Sequence, residues 1–192
     1  MKIVFLISFM VFIASCSGKQ NQSIIKLNHE KKISEFTSCS GRGTISSIGN
    51  FSGQLSFDFL AQNDSSFFQF QDFLGRKVLI LWLTSSSAEA WNLIENKKYS
   101  HSKINDLVPI LSVIQPRYLI DFLWGEDISN SDFDFSGFDN ATILLEKSNP
   151  DELIINKAIF SDGKNNQKLS IIIKSRIPSK DLIDLGKFWK LI

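Results

Sequence analysis

Cysteine, histidine and surplus charge are all scarce in this sequence, and each scarcity removes a class of answer. The 192 residues include 2 Cys, 4 Pro and 2 His. So few cysteines cannot build a disulfide scaffold. His29 and His101 stand far apart, with no Cys or second His at ligand spacing, and read as exposed side chains rather than as half of a metal site. Basic and acidic residues balance at 21 and 20, so nothing draws the chain to a polyanion such as nucleic acid. Catalytic signatures are missing too. There is no G-x-S-x-G, no H-E-x-x-H, no Walker loop and no G-x-G-x-x-G, since Gly41-Arg42-Gly43 is followed by Ser46 where a third glycine would stand. Asp132-x-Asp134-x-Ser136-Gly137 starts like a calcium loop, but its twelfth position is Ile143 instead of a bidentate Glu. The expectation is a protein that is not an enzyme and holds no metal or cofactor.

What is abundant is apolar and aromatic. Phe alone occurs 17 times. The N-terminus opens with Met1-Lys2 and an apolar run from Ile3 to Ile13, the pattern of a secretory leader and too short to span a bilayer. Ile13-Ala14-Ser15-Cys16 then resembles a lipobox, in which a cysteine after small residues is lipidated on sulfur and becomes the mature N-terminus. Cleavage near Ala14 as an ordinary leader, or a buried apolar segment, would explain the same run. Cysteine standing where small residues stop and polar sequence starts favours lipidation at Cys16. One acyl chain holds a protein only marginally and two or more hold it stably, so a lipidated Cys16 would tether the domain permanently. Ser17 is similar to what outer-membrane members of that class carry, which gives the periplasmic face of the outer membrane as the expected address. Loss of Lys2 with the leader brings the basic count to 20 against 20 acids. Cys39 is left without a disulfide partner and reads as a small buried residue.

The chain divides into a leader (1–15), a lipidated N-terminus with a short Ser/Gly/Asn tether (16–22) and a single domain (23–192). Ser23 can cap a moderately amphipathic helix running to about Glu35. After Gly41-Arg42-Gly43 the period becomes two: Phe51, Gly53, Leu55, Phe57 and Phe59 alternate with polar residues. SSFFQFQD, VLILWL, AEAWNLIE and KKYSH continue an antiparallel meander joined by short turns. KINDLVPILSVI shows helical spacing with Pro109 inside it, and PRYLIDFLWG has Pro116 and Gly125 placed to open and close a helix. Asp127 to Asn140 reads as an irregular connection. ATILLEK, ELIINKAIF and KLSIIIKS are further strands, separated by Ser148-Asn149-Pro150 and by a turn at Asp162-Gly163. The tail IPSKDLIDLGKFWKLI fits either a short helix or a last extended segment.

One turn stands out. QDFLGRK (71–77) links two strands, yet carries Phe73 and Leu74 at its tip, where large apolar side chains are normally unfavourable. A membrane-tethered domain could expose them to lipid, with Arg76 and Lys77 meeting anionic headgroups. A tip folded back onto its own core is the alternative.

Lipobox, single helix, GRG opening a meander, x-Leu-Gly turn and helical insertion ending in FLWG together resemble the LolB-like outer-membrane lipoproteins of the LolA/LolB superfamily. The likeness spans nearly the whole mature chain in pattern; locally it rests on Gly41–Gly43, Phe73–Gly75 and Phe122–Gly125. Where family members have Pro-Leu-Gly this chain has Phe73-Leu74-Gly75, and its C-terminal part is shorter, with an ending more similar to the wider superfamily. The resemblance implies a mainly β fold with some helix: an unclosed antiparallel half-barrel with a helical plug around an apolar cavity. It implies a monomeric receptor that accepts acylated lipoprotein cargo from a LolA-like periplasmic carrier and inserts it into outer-membrane lipid. Phe73, Leu74 and Gly75 would form the membrane-insertion loop, with Leu74 protruding, and Phe57, Ile80, Trp82 and Phe122 are candidates for the acyl cavity. A lipoprotein of the same fold that only binds lipid, or serves as a scaffold in an envelope assembly machine, is the second expectation.

Overall fold

Alternating residues build one sheet. A computed structural model describes residues 35–49, 52–104, 108, 111, 114–126, 128, 135, 140–147, 154–164 and 166–191. The leader, Cys16 and its tether, nearly all of the first helix with His29, most of KINDLVPILSVI with Pro109, the Asp132–Gly137 segment apart from Phe135, and the Ser148–Pro150 turn lie outside the described residues. Nine strands are described: β1 (Ser38–Ile48), β2 (Gly53–Gln62), β3 (Ser65–Gln71), β4 (Lys77–Thr84), β5 (Ala88–Asn92), β6 (Lys97–Ser100), β7 (Ala141–Lys147), β8 (Ile155–Asp162) and β9 (Gln167–Ser179). They form a single antiparallel sheet in the order β6-β5-β4-β3-β2-β1-β9-β8-β7, open at β6 and β7. The mainly β, unclosed architecture is the expected one. A 3-10 turn (His101–Ile104) follows β6, so His101 starts that turn instead of ending a strand.

β1 is the seam. It pairs with β2 on one side and with β9 on the other, joining the N-terminal meander to the three C-terminal strands. Gly41 lies opposite Phe59 and Gly43 opposite Phe57. A Cβ on Gly41 would collide with the Ser175 carbonyl oxygen of β9 and fall 2.6 Å from the Phe59 ring, and one on Gly43 would collide with the Phe57 ring and lie 2.6 Å from the Ile172 carbonyl oxygen. The two glycines therefore make room for aromatic rings to lie across β1. Phe57 and Phe59 continue into Phe68 and Phe70 of β3, with ring centroids 5.5–6.5 Å apart, a spacing at which aromatic pairs add roughly 0.5–1.5 kcal/mol beyond area burial.

Among the described residues two helices cover the two faces. α1 (Pro116–Trp124) has Pro116 at its first turn and ends at Gly125, whose φ of 84° is the left-handed conformation that a Cβ disfavours. Its buried residues are Leu119, Ile120, Phe122, Leu123 and Trp124, and it packs over β2, β3 and β4, where Phe57, Phe59, Phe68, Phe70, Leu81 and Leu83 join it in one core. That surface is called the inner face. α2 (Leu185–Leu191) settles the tail as a helix. It packs on β3 and β4 from the other side, with Trp189 5.9 Å from Trp82 and Phe188 5.0 Å from Phe67. β9 runs on through Ile177 and Pro178, which pair with Ser40 and Cys39, before the chain crosses to the outer face. Cys39 itself is buried opposite Ala61, as a small core residue should be.

Gly41→Ala is expected to cost about 1–3 kcal/mol by driving a Cβ into the Ser175 carbonyl oxygen of β9 and against the Phe59 ring. The check is a urea transition whose midpoint falls while its slope is unchanged.

Candidate functional site

The turn between β3 and β4 is a clamped, outward-pointing tip. Asp72 Oδ1 accepts the backbone N–H of Leu74 (2.9 Å) and of Arg76 (3.0 Å), while Oδ2 accepts the Arg76 guanidinium at 2.7 Å. Gly75 N–H donates to Asp72 O, and Asp72 N–H to Arg76 O. Gly75 sits at φ 76°, so glycine supplies the positive φ that closes the turn. Phe73 is 89 % exposed and Leu74 63 %. The tip does not fold back onto the core, which removes that alternative. Arg76 is occupied with Asp72, so Lys77 is the cation the tip presents. Partial burial pushes the Asp72 carboxyl up, but the Arg76 side chain, the Arg76 and Leu74 amides and the Arg76 charge outweigh it, and the net pKa lies below the ordinary value.

The four candidate cavity residues divide between two faces. Phe57 and Phe122, 3 % and 1 % exposed, meet in the core under α1. Ile80 and Trp82 alternate with Leu81 and Leu83, so when the latter two face α1 the former two face outward; Trp82 pairs with Phe67 across the strands and stacks toward Trp189. The structure thus does not gather the four around one space. Trp82 instead lines an outer groove of about 690 Å³ with Gln62, Thr84 and the Leu182–Gly186 segment. Its indole Nε1 has no hydrogen-bond partner among the described residues.

Sequence reasoning gave no hint of Arg176. From β9 its guanidinium donates to the carbonyl oxygens of Leu123 (2.7 Å), Phe122 (3.0 Å) and Ile155 (2.7 Å), and to Asn156 Oδ1. Two of these acceptors are last-turn carbonyls of α1, where a cation also complements the helix dipole. Burial lowers its pKa to about 10, opposed by the neighbouring Cys39, so it stays charged at neutral pH. Arg176 is therefore the polar bolt that fixes the inner-face helix to β8 and β9. No sequence motif marks it, because its acceptors are backbone carbonyls.

Comparison with solved structures places this geometry. The chain is similar in fold to a LolA superfamily protein, NE2245, from Nitrosomonas europaea, with TM-score 0.52 and 12 % identity over 81 % of this chain and 93 % of that one. It is also similar to a DUF1329 family protein from Desulfovibrio piger, with TM-score 0.51 and 9 % identity over 80 % of this chain and 90 % of that one. No protein-family model and no curated protein matches the chain. The unclosed antiparallel sheet with few helices is the LolA-like fold; at such identities the likeness extends to the fold alone. Among the described residues no helix is long and apolar enough to cross a membrane.

Two outcomes follow from this geometry. Because the folded-state pKa of Asp72 is depressed, the clamp is fully present above its unfolded value near 3.8 and is lost as pH falls through the lower folded value. The Leu74 and Arg76 amide resonances should therefore titrate together with a midpoint below 3.8. Arg176→Met removes the side-chain donor to the Leu123, Ile155 and Phe122 carbonyls, the last of which keeps the Gly125 N–H, and should lower stability by on the order of 3 kcal/mol in chemical denaturation.

Proposed function

We propose that the protein is an outer-membrane-anchored lipoprotein receptor: it takes acylated lipoproteins from a LolA-like periplasmic carrier and passes their acyl chains into outer-membrane lipid. No bond is made or broken in this process. The driving force is apolar area kept from water at each step. Cys16, as a lipidated N-terminus, would hold the domain at the membrane, and Phe73, Leu74 and Gly75 would be the part that enters lipid. The observation that carries the reading is the tip itself. Two large apolar side chains stand out in water on a turn that an Asp–Arg pair holds in one shape, which leaves little conformational entropy to lose on docking.

A second reading is a lipoprotein of the same fold that binds lipid or scaffolds an envelope assembly machine without transferring cargo. It is favoured by the packed inner face. Leu119, Ile120, Phe122 and Leu123 of α1 are all at most 4 % exposed, and Arg176 ties the helix down. For an acyl chain to occupy Phe57 and Phe122, α1 must move.

Incubation of the protein with an acylated lipoprotein loaded on its carrier separates the two. Transfer of the acylated chain supports the receptor; absence of any transfer or bound acyl chain sinks it. Leu74→Glu should leave stability within about 0.5 kcal/mol. Forfeiting roughly 1.5–3 kcal/mol of leucine burial should cut delivery into vesicles about ten- to a hundredfold. If Leu74→Glu instead unfolds the domain, the tip is structural.

A further inference from the structure

A second hairpin tip repeats the construction of the first. In the β5–β6 turn, Asn92 Oδ1 accepts the backbone N–H groups of Ile94 (3.0 Å) and Glu95 (3.2 Å), as Asp72 Oδ1 does for Leu74 and Arg76. Asn96, at φ 51°, closes the turn, and its side chain accepts the Trp91 indole N–H. The residue so displayed is Ile94, 75 % exposed. The two tips lie at the same end of the sheet, because β3 runs toward it, β4 away, β5 toward and β6 away. Leu93 N–H donates to Val78 O at 3.0 Å, which ties the second turn to the base of the first. At about 4.8 Å between strands, hairpins two strands apart are centred roughly 10 Å from each other. Ile48, 63 % exposed at the end of β1, stands at the same end.

Charge accompanies the apolar tips. Over residues 71–78 and 92–98 the cations are Arg76, Lys77, Lys97 and Lys98, and the anions are Asp72 and Glu95. Asp72 is matched by Arg76, and Glu95 accepts the Tyr99 hydroxyl. Lys77 and Lys97 each start a strand at this end and are exposed. Apolar points ringed by excess positive charge fit a bilayer surface with anionic headgroups, where each nearby lysine gains about 1 kcal/mol.

We propose that the Ile94 hairpin is a second membrane contact, and that it seats the end of the sheet on anionic lipid together with the Phe73–Leu74 tip through Lys77 and Lys97. This deepens the receptor reading and rests on it, since that reading brings the first tip to lipid. Phe73 and Leu74 project a few residues past Ile94. That difference falls within the roughly 5–10 Å over which apolar side chains enter the headgroup boundary. The tether permits the orientation. β1 begins at the opposite end of the sheet, yet the tether 16–22 when extended, together with the helix expected over 23–35 at 1.5 Å per residue, would reach up to about 50 Å, against about 34 Å for the 10 residues of β2.

The test places an environment-sensitive fluorophore on single cysteines introduced as Leu74→Cys, Ile94→Cys or, in the β4–β5 turn at the far end, Ser86→Cys. The exported, processed protein is reconstituted in vesicles of phosphatidylcholine alone or mixed with phosphatidylglycerol. Labels at 74 and 94 should both shift to the blue and be quenched by brominated acyl chains, while the label at 86 stays wet. Phosphatidylglycerol should raise the inserted fraction at 94 about fivefold per lysine, a gain that Lys77→Gln with Lys97→Gln removes. A label at 94 that stays wet while 74 inserts overturns the second contact and leaves the receptor reading standing. Both staying wet overturns both. Insertion at 94 indifferent to phosphatidylglycerol overturns the anionic partner.

Discussion

Two glycines in β1 let the two halves of this sheet meet, since a Cβ at Gly41 or Gly43 would run into a phenylalanine ring of β2 and a carbonyl oxygen of β9. β1 must hydrogen-bond to β2 and β9 at once, and its inner face must still leave room for the core of the N-terminal meander. Gly41 and Gly43 satisfy both demands: without Cβ atoms, β1 stays in register with both neighbours while Phe59 and Phe57 cross it. The register of β9 against β1 shifts between Arg42 and Gly43, within this same stretch. Beyond it β9 carries Arg176 to the end of α1. The seam, the aromatic cluster and the helix bolt are thus consequences of the same few residues of β1.

A sheet open at both edges has two large faces to cover, and this one covers them differently. The inner face is closed by α1 and an apolar core whose polar fastening is the half-buried Arg176. The outer face of β3, β4 and β5 is covered by α2, with Trp189 donating to Glu89 at 2.7 Å and lying near Trp82 and Lys98. Hydrogen bonds from Ser38 to Asp181 O and from Gln62 to Ile183 O hold the crossing segment between β9 and α2. The β3–β4 and β5–β6 turns, at one end of the sheet, are left uncovered. They carry apolar side chains, Phe73, Leu74 and Ile94, that none of the described residues buries.

Much of the fold was legible because period and punctuation agreed. PRYLIDFLWG became α1 with Pro116 at its start and Gly125 at its end, and ATILLEK became β7 to the residue. The tip at Phe73 and Leu74 was also legible, since two large apolar residues inside a turn sequence are anomalous on residue type alone. Ile80 and Trp82 were not, because VLILWL is apolar at every position and period two cannot say which set faces in. The tail was ambiguous for a similar reason: DLGKFWKL has too few residues for periodicity to choose between helix and strand, and contact with Phe67 and Trp82 decides it.

The sequence by itself determined the elements, the turns and the presence of an apolar residue where water is expected, because backbone preference and side-chain alternation are local. Tertiary structure decided what depends on distant neighbours. It put Phe57 and Phe122 together and sent Trp82 to the other face. It gave Arg176 its acceptors 53 and 54 residues away in Leu123 and Phe122. It also set Ile94 at the same end as Leu74, for strand order, and not sequence, makes the two hairpins neighbours.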